Sequence, residues 1–215
     1  MTVLRRLVPK IFAFSGAIVF LAAVAGQDAR AKTSFDASRT SCGEVVDARA
    51  GSGAGRAAFD NGRLWVMGYL AGYYEANDSL QMTDSGGAAV EQSLIRNCRG
   101  FTDTSLMKVS MLVLSTEVNP LPTSPRQGFM PGTYSCADYT RARDGGDRAL
   151  AAAADLWAFA FIQGYKNAGD PYLVINVQNM DALVGAVSQN CRTNPDMLLM
   201  DLTTDVAEAV RLGGG

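Results

Sequence analysis

Apolar residues return at intervals of three and four along most of the chain, the spacing that lines one face of an α-helix. The clearest case places Trp65, Tyr69, Gly72 and Tyr73 at i, i+4, i+7 and i+8, and later Trp157, Phe161, Gly164 and Tyr165 repeat the set. Each makes an aromatic stripe on one helical face. A glycine inside such a stripe lowers helix propensity by about 1 kcal/mol, so it marks either a close approach of another backbone or ring, or the end of the helix. The alanine run Ala149–Ala154 starts the second of these helices early. Further helices are predicted over 88–98 and 179–191, each ending on a cysteine, and over 106–118 and 195–212. In the last of these Asn194 would cap and Pro195 would fit the first turn. Short helices should follow Cys42 and Cys136. The segments Leu80–Thr83 and Tyr172–Val177 read as loops, and the expected fold class is all-α.

The same landmarks occur twice in the same order. Cys42, Leu64-Trp65, Gly72-Tyr73 and Asn97-Cys98-Arg99 are answered by Cys136, Leu156-Trp157, Gly164-Tyr165 and Asn190-Cys191-Arg192. Asp103 and Leu106 continue the match with Asp196 and Leu199. A tandem duplication follows, with modules over 38–118 and 136–212. Between them, 119–135 carries Pro120, Pro122, Pro125 and Pro131, which fix the backbone and remove amide donors, as in an extended linker. Residues 26–40 and Gly213-Gly214-Gly215 read as loose ends.

Four cysteines allow three pairings. If each copy is an autonomous unit, the bridges are Cys42–Cys98 and Cys136–Cys191. Each would close a long loop and stabilise a thin core by about 4 kcal/mol through the entropy of the unfolded chain.

The amino terminus changes the compartment expected. Arg5, Arg6 and Lys10 precede the apolar run Ile11–Val24, which ends in the small-x-small pattern Ala23-Val24-Ala25. This reads as an export signal over 1–25, with a second cleavage pattern ending at Ala31, and the run is shorter than the roughly 20 residues of a membrane span. Pro9 favours ordinary secretion over a twin-arginine route. Periplasmic location and disulfide formation agree with each other, and no membrane contact is expected after cleavage.

Charge and composition mainly exclude. Nineteen Lys+Arg against 21 Asp+Glu leave no basic surplus for nucleic acid. Removing the signal takes three basic residues and no acidic one, which makes the remainder more acidic. The histidine count is zero, so imidazole bases, Ser-His or Cys-His nucleophile pairs and His-ligated metals are impossible. Asp144-Gly145-Gly146-Asp147, with Asp138 nearby, lacks the ligand spacing of a calcium loop and reads as a capping turn. Gly51-Ser52-Gly53-Ala54-Gly55 follows no strand signal and reads as a flexible loop, not a phosphate cradle. No motif singles out a carboxylate pair. Neither an enzyme, a cofactor nor a metal is expected.

A cysteine early, Trp-x6-Gly-Tyr in the middle and Cys-x2-Asn-Pro late occur together in Cys136, Trp157, Gly164-Tyr165 and Cys191-Arg192-Thr193-Asn194-Pro195. This set resembles the HdeA/HdeB family of periplasmic acid-stress chaperones, over nearly all of the mature chain if each half is one module. The first half departs from it, with Gly100-Phe101 where Asn-Pro stands in the second and with the Gly51–Gly55 insert. The resemblance implies small exported helical units with one disulfide each, which pair as dimers, loosen in acid and hold unfolding clients. Two units on one chain would dock as an internal pseudo-dimer or stand apart as beads. Trp65, Tyr69, Tyr73, Trp157, Phe161 and Tyr165 are then the candidate surface for clients or for the other module, and core at neutral pH. Without histidine any acid trigger would be carboxyl-driven, below roughly pH 5. The competing function is a constitutive periplasmic binding module, of inhibitor or immunity type, that takes one protein partner without acid activation.

Overall fold

The computed structural model describes residues 35–77, 86–114, 129–169, 175 and 179–212. The expected export signal, the prolines of 119–128, Leu80–Thr83, most of Tyr172–Val177 and the closing glycines lie outside them. Eight α-helices and no strand occur among the described residues. They are α1 (Cys42–Arg49), α2 (Ala54–Glu75), α3 (Gly86–Gly100), α4 (Leu106–Leu114), α5 (Cys136–Gly145), α6 (Arg148–Gly169), α7 (Met180–Thr193) and α8 (Leu199–Leu212). The protein is all-α and consists of two four-helix bundles in tandem, each stapled within itself by Cys42–Cys98 or Cys136–Cys191. None of the helices among the described residues is long and apolar enough to cross a membrane.

The first helix of each bundle begins at its cysteine because a serine stands before it. Ser41 accepts a hydrogen bond from the Glu44 amide, and Glu44 returns one from the Ser41 amide, which satisfies donors that a helix start leaves free. Ser135 caps α5 by accepting a hydrogen bond from the Asp138 amide, and its hydroxyl donates to the Asp138 carboxylate. A short backbone strap then ties each helix start to the end of its bundle. In the first half the amides of Cys42, Gly43 and Leu106 donate to Thr104, Thr102 and Thr40; in the second, those of Cys136, Ala137 and Leu199 donate to Met197, Pro195 and Tyr134. The disulfide therefore bridges elements already held by main-chain bonds.

This strap corrects three readings of the sequence. Asn194 does not cap α8: its amide and side chain both donate to the Asn190 carbonyl, so it closes α7, and Pro195–Leu198 form the strap before α8 starts at Leu199. Residues 35–40 are not loose, since Ala37 is buried and its carbonyl receives the Met107 amide. The linker's last residues belong to the second bundle, where Phe129 is buried edge-on against Tyr134 and Trp157.

The glycine-rich insert also differs from expectation. Gly53 takes a left-handed φ of 59° as the residue before α2, and the helix then runs from Ala54 straight through Gly55. Both central helices are 22 residues long. The Asp144–Asp147 segment is the capping turn expected: Gly146 ends α5 at a left-handed φ of 94°, and Asp147 accepts the Leu150 amide at the start of α6. The helix Leu106–Leu114 covers the described part of the predicted 106–118.

The two bundles lie within one compact unit, Thr33–Gly215. Each core borrows from the other half. Leu156 and Ala160 of α6 are buried in the first core, Ala71 of α2 in the second, and Leu64 packs on both.

Candidate functional site

The central helices α2 and α6 meet where neither has a side chain to keep them apart. A Cβ on Gly72 would overlap the Phe161 carbonyl, and one on Gly164 would overlap the Tyr69 carbonyl. Gly72 and Gly164 are equivalent positions of the repeat, as are Tyr69 and Phe161. The contact is thus reciprocal, as across a two-fold axis. One turn before Gly72, Gly68 faces its own counterpart, Ala160: a Cβ on Gly68 would lie 3.0 Å from the Ala160 methyl and 2.6 Å from the Trp157 carbonyl oxygen. Of the two meanings open to the stripe glycines, close backbone approach is the one realised.

The glycines set the height of the aromatic stripes on either side. Trp65 stacks on Tyr69 with ring centres 5.2 Å apart and belongs to the first core. Trp157 lies 5.1 Å from Phe161, which stacks on Tyr165 at 6.3 Å, and all three belong to the second. The two stripes do not merge into one patch; the glycine seam separates them. Five of the six candidate aromatics are buried, and Tyr73 is half-buried. The indole N–H of Trp157 and the hydroxyl of Tyr69 are buried without a hydrogen-bond partner among the described residues. Burial, with Tyr73 adding to it, pushes the Tyr69 hydroxyl far above the ordinary tyrosine range.

Ionic ties join helices within each bundle, and sequence reading had not found them. In the second half Asp155 of α6 accepts the Tyr139 hydroxyl at 2.6 Å and the Arg143 guanidinium at 2.5 Å, joining α5 to α6. Burial first, and the Asp155 charge second, drive the Tyr139 hydroxyl upward. Burial works against the charge on Arg143, but Tyr139 and Asp155 more than offset it and hold the guanidinium above its usual value. In the first half Glu91 of α3 faces two guanidiniums, Arg63 of α2 at 3.3 Å and Arg49 of α1 at 3.8 Å.

Two further carboxylates, the half-buried Asp138 and the exposed Asp144, complete the set. The Ser135 hydroxyl bond, helped by Arg141 and opposed by partial burial, holds Asp138 below the usual carboxylate range. A two-pronged bond from Arg192 does the same for Asp144. Arg141 and Arg192 line a shallow depression of about 420 Å³ beside Cys191, yet both are already paired, with Asp138 and Asp144.

The arrangement buries aromatic surface on both sides of the seam. No cluster of three or more Cys, Asp or Glu stands where it could hold a metal among the described residues. The seam residues overlooked in the sequence are Gly68, Ala160, Leu64, Ala71 and Leu156. Their signal was the spacing Gly68-x3-Gly72 and Ala160-x3-Gly164, small residues one turn apart at equivalent places in both copies. No family model, curated protein or solved structure matches the chain.

Proposed function

We propose that this chain is an exported holding chaperone of the HdeA-like, acid-stress type, whose two halves act as an internal pseudo-dimer and whose client surface is the pair of aromatic stripes beside the α2/α6 seam. It works by holding, without catalysis, and its partners are unfolding periplasmic proteins. The observation that carries the reading is a large aromatic surface closed over polar groups that the closed state leaves unpaired. An unpaired buried donor costs about 1–3 kcal/mol that water repays on opening, so Trp157 and Tyr69 favour a seam that can part.

Acid supplies the push. Asp138 and Asp144 have depressed folded pKa values, so their stabilisation is present above the unfolded carboxylate value near 4 and is lost as pH falls through the folded value. Asp144 is exposed and Asp138 half-buried, and each contributes little alone. Self-repulsion among the positive charges that remain in acid opposes compact packing. With no histidine, stability should be flat between about pH 8 and 5 and fall below about pH 4. The disulfides persist and limit how far each bundle opens.

Tryptophan emission and apolar-dye binding between pH 7 and 2 test this. A red shift and dye uptake below about pH 4 are expected. Unchanged emission and dye signal down to pH 2, with one tight stoichiometric partner at neutral pH, would replace the chaperone by a constitutive binding module.

A further inference from the structure

We propose that the depression beside the Cys136–Cys191 bridge is an anion site that acid unmasks. Arg141 and Arg192 close on their own aspartates at neutral pH, and they take the oxyanion of a strong acid, a sulfate or a phosphate group, once Asp138 and Asp144 are protonated. The inference stands on the geometry of the second bundle and does not depend on the chaperone reading.

The depression is walled by Thr140, Arg141 and Asp144 of α5, Cys191 and Arg192 of α7, and Pro195 of the strap. Arg192 donates to the two Asp144 oxygens at 2.7 and 2.8 Å, and Arg141 donates to Asp138 at 2.8 Å. A guanidinium that grips a carboxylate through two N–H groups offers the same fork to two oxygens of a sulfate or phosphate. Both arginine side chains are open to solvent, so an anion can reach them. The Thr140 hydroxyl is buried with no hydrogen-bond partner among the described residues, and by rotating it can add a third donor. The walls are tied together inside the second bundle, by the bridge and by the amides of Cys136 and Ala137 on Met197 and Pro195. None of these ties involves the seam.

At neutral pH two guanidiniums and two carboxylates cancel, and an approaching anion gains little. The other charges nearby do not alter that balance. Arg143 of α5 adds positive potential at Asp144 and Arg192, but it is itself answered by Asp155 of α6. Asp196, exposed beside Pro195 in the strap, opposes an anion and loses its charge in acid with the others. Below about pH 4 the carboxylates take up protons and the guanidiniums keep theirs, which leaves two positive charges uncompensated. Carboxylate ligands are neutralised over the same range. Sulfate and phosphate groups are still anionic there, so they are the class selected. The first half has no such site: Val46, Asp47 and Ala50 stand where α5 has Thr140, Arg141 and Asp144, and Arg99 alone keeps the place of Arg192.

Sulfate titrations of the full chain, with chloride at matched ionic strength as the reference, test the site through the NMR amide signals of Thr140 and Cys191. Asp138→Asn with Asp144→Asn reproduces the unmasked state at pH 7. This pair should bind sulfate at least about tenfold tighter than the parent does at that pH, because two opposing charges are gone. The parent should gain the same response between pH 7 and pH 3. Adding Arg192→Gln to the asparagine pair should return it to the parental response at pH 7. Adding Arg99→Gln, which removes the same charge from the first half, should not. Vesicles of phosphatidylglycerol, compared with phosphatidylcholine, separate the two sources of the ligand. Co-sedimentation of the asparagine pair that Arg192→Gln abolishes assigns a lipid headgroup, and sulfate binding without co-sedimentation assigns a free anion. The proposal is overturned if the asparagine pair binds sulfate no better than the parent at pH 7, if Arg99→Gln weakens binding as much as Arg192→Gln, or if the parent gains nothing at pH 3.

Discussion

The two halves share their staples and straps and differ in their charges. Equivalent serines cap equivalent helices, equivalent amides form the strap, and Ser110 and Thr203 donate to the carbonyls of Leu106 and Leu199 at matching positions. Yet the position on the central helix that carries Asp155 in the second half carries Arg63 in the first. The second half answers its aspartate with Arg143 and Tyr139 from the helix before it. The first answers its arginine with Glu91 from the helix after it, where the second half has the buried Val184. Backbone geometry and core shape match in the two halves because they are fixed by neighbours throughout the bundle. A partly buried charge needs only one good partner, and that partner can come from any helix within reach. The lesson is that the fold repeats while its ionic ties do not.

Removing a staple should have the largest effect and should not distinguish the halves, because the bridges close loops of 56 and 55 residues. Cys42→Ala with Cys98→Ala, and Cys136→Ala with Cys191→Ala, are each expected to cost about 4 kcal/mol in a denaturant titration. A difference of more than about 2 kcal/mol between them would break the likeness of the two bundles. Next come Gly72→Ala and Gly164→Ala. Each sets a methyl against a carbonyl of the opposite helix and should cost about 3 kcal/mol. Unequal effects would show that the seam is not reciprocal.

Charge substitutions sharpen the contrast. Asp155→Asn strands Arg143, and Glu91→Gln strands Arg63 and Arg49; each should cost about 2 kcal/mol near neutral pH. The cost should fall in different halves. With Trp157→Phe the emission of Trp65 reports the first half, and with Trp65→Phe that of Trp157 reports the second. At neutral pH Asp155→Asn should change the emission of Trp157 more than that of Trp65, and Glu91→Gln should do the reverse. The smallest effect belongs to Asp144→Asn, whose exposed pair with Arg192 has no counterpart in the first half, where Ala50 stands. Its thermal midpoint at pH 7 should match the parent, with a slightly shallower decline below about pH 4.

What the sequence made legible was whatever repeats or is local. The cysteine spacing pointed to the disulfide pairing, the 3.6-residue period to the helices, and the glycine within each aromatic stripe to a place where something comes close. The strap was not legible, because it is made of backbone bonds between residues some sixty positions apart and leaves only a serine before each cysteine. Asn194-Pro195 looked like a helix start since those residue types suit one, but the same asparagine also closes α7 and the proline carbonyl is needed by Ala137. The ionic ties were illegible for a different reason. Among so many charged side chains nothing in the order of residues says that Asp155 faces Tyr139 rather than solvent. Gly68 and Ala160 were visible as small residues, and their meaning depends on a partner helix that only the fold supplies.

Aggregation of a denatured model protein, followed by light scattering with this chain present at pH 2 and at pH 7 and both disulfides intact, tests the central claim most directly. A carboxyl-driven opening of the seam requires suppression at pH 2 and none at pH 7. Equal suppression at both values, or none at either, would contradict it.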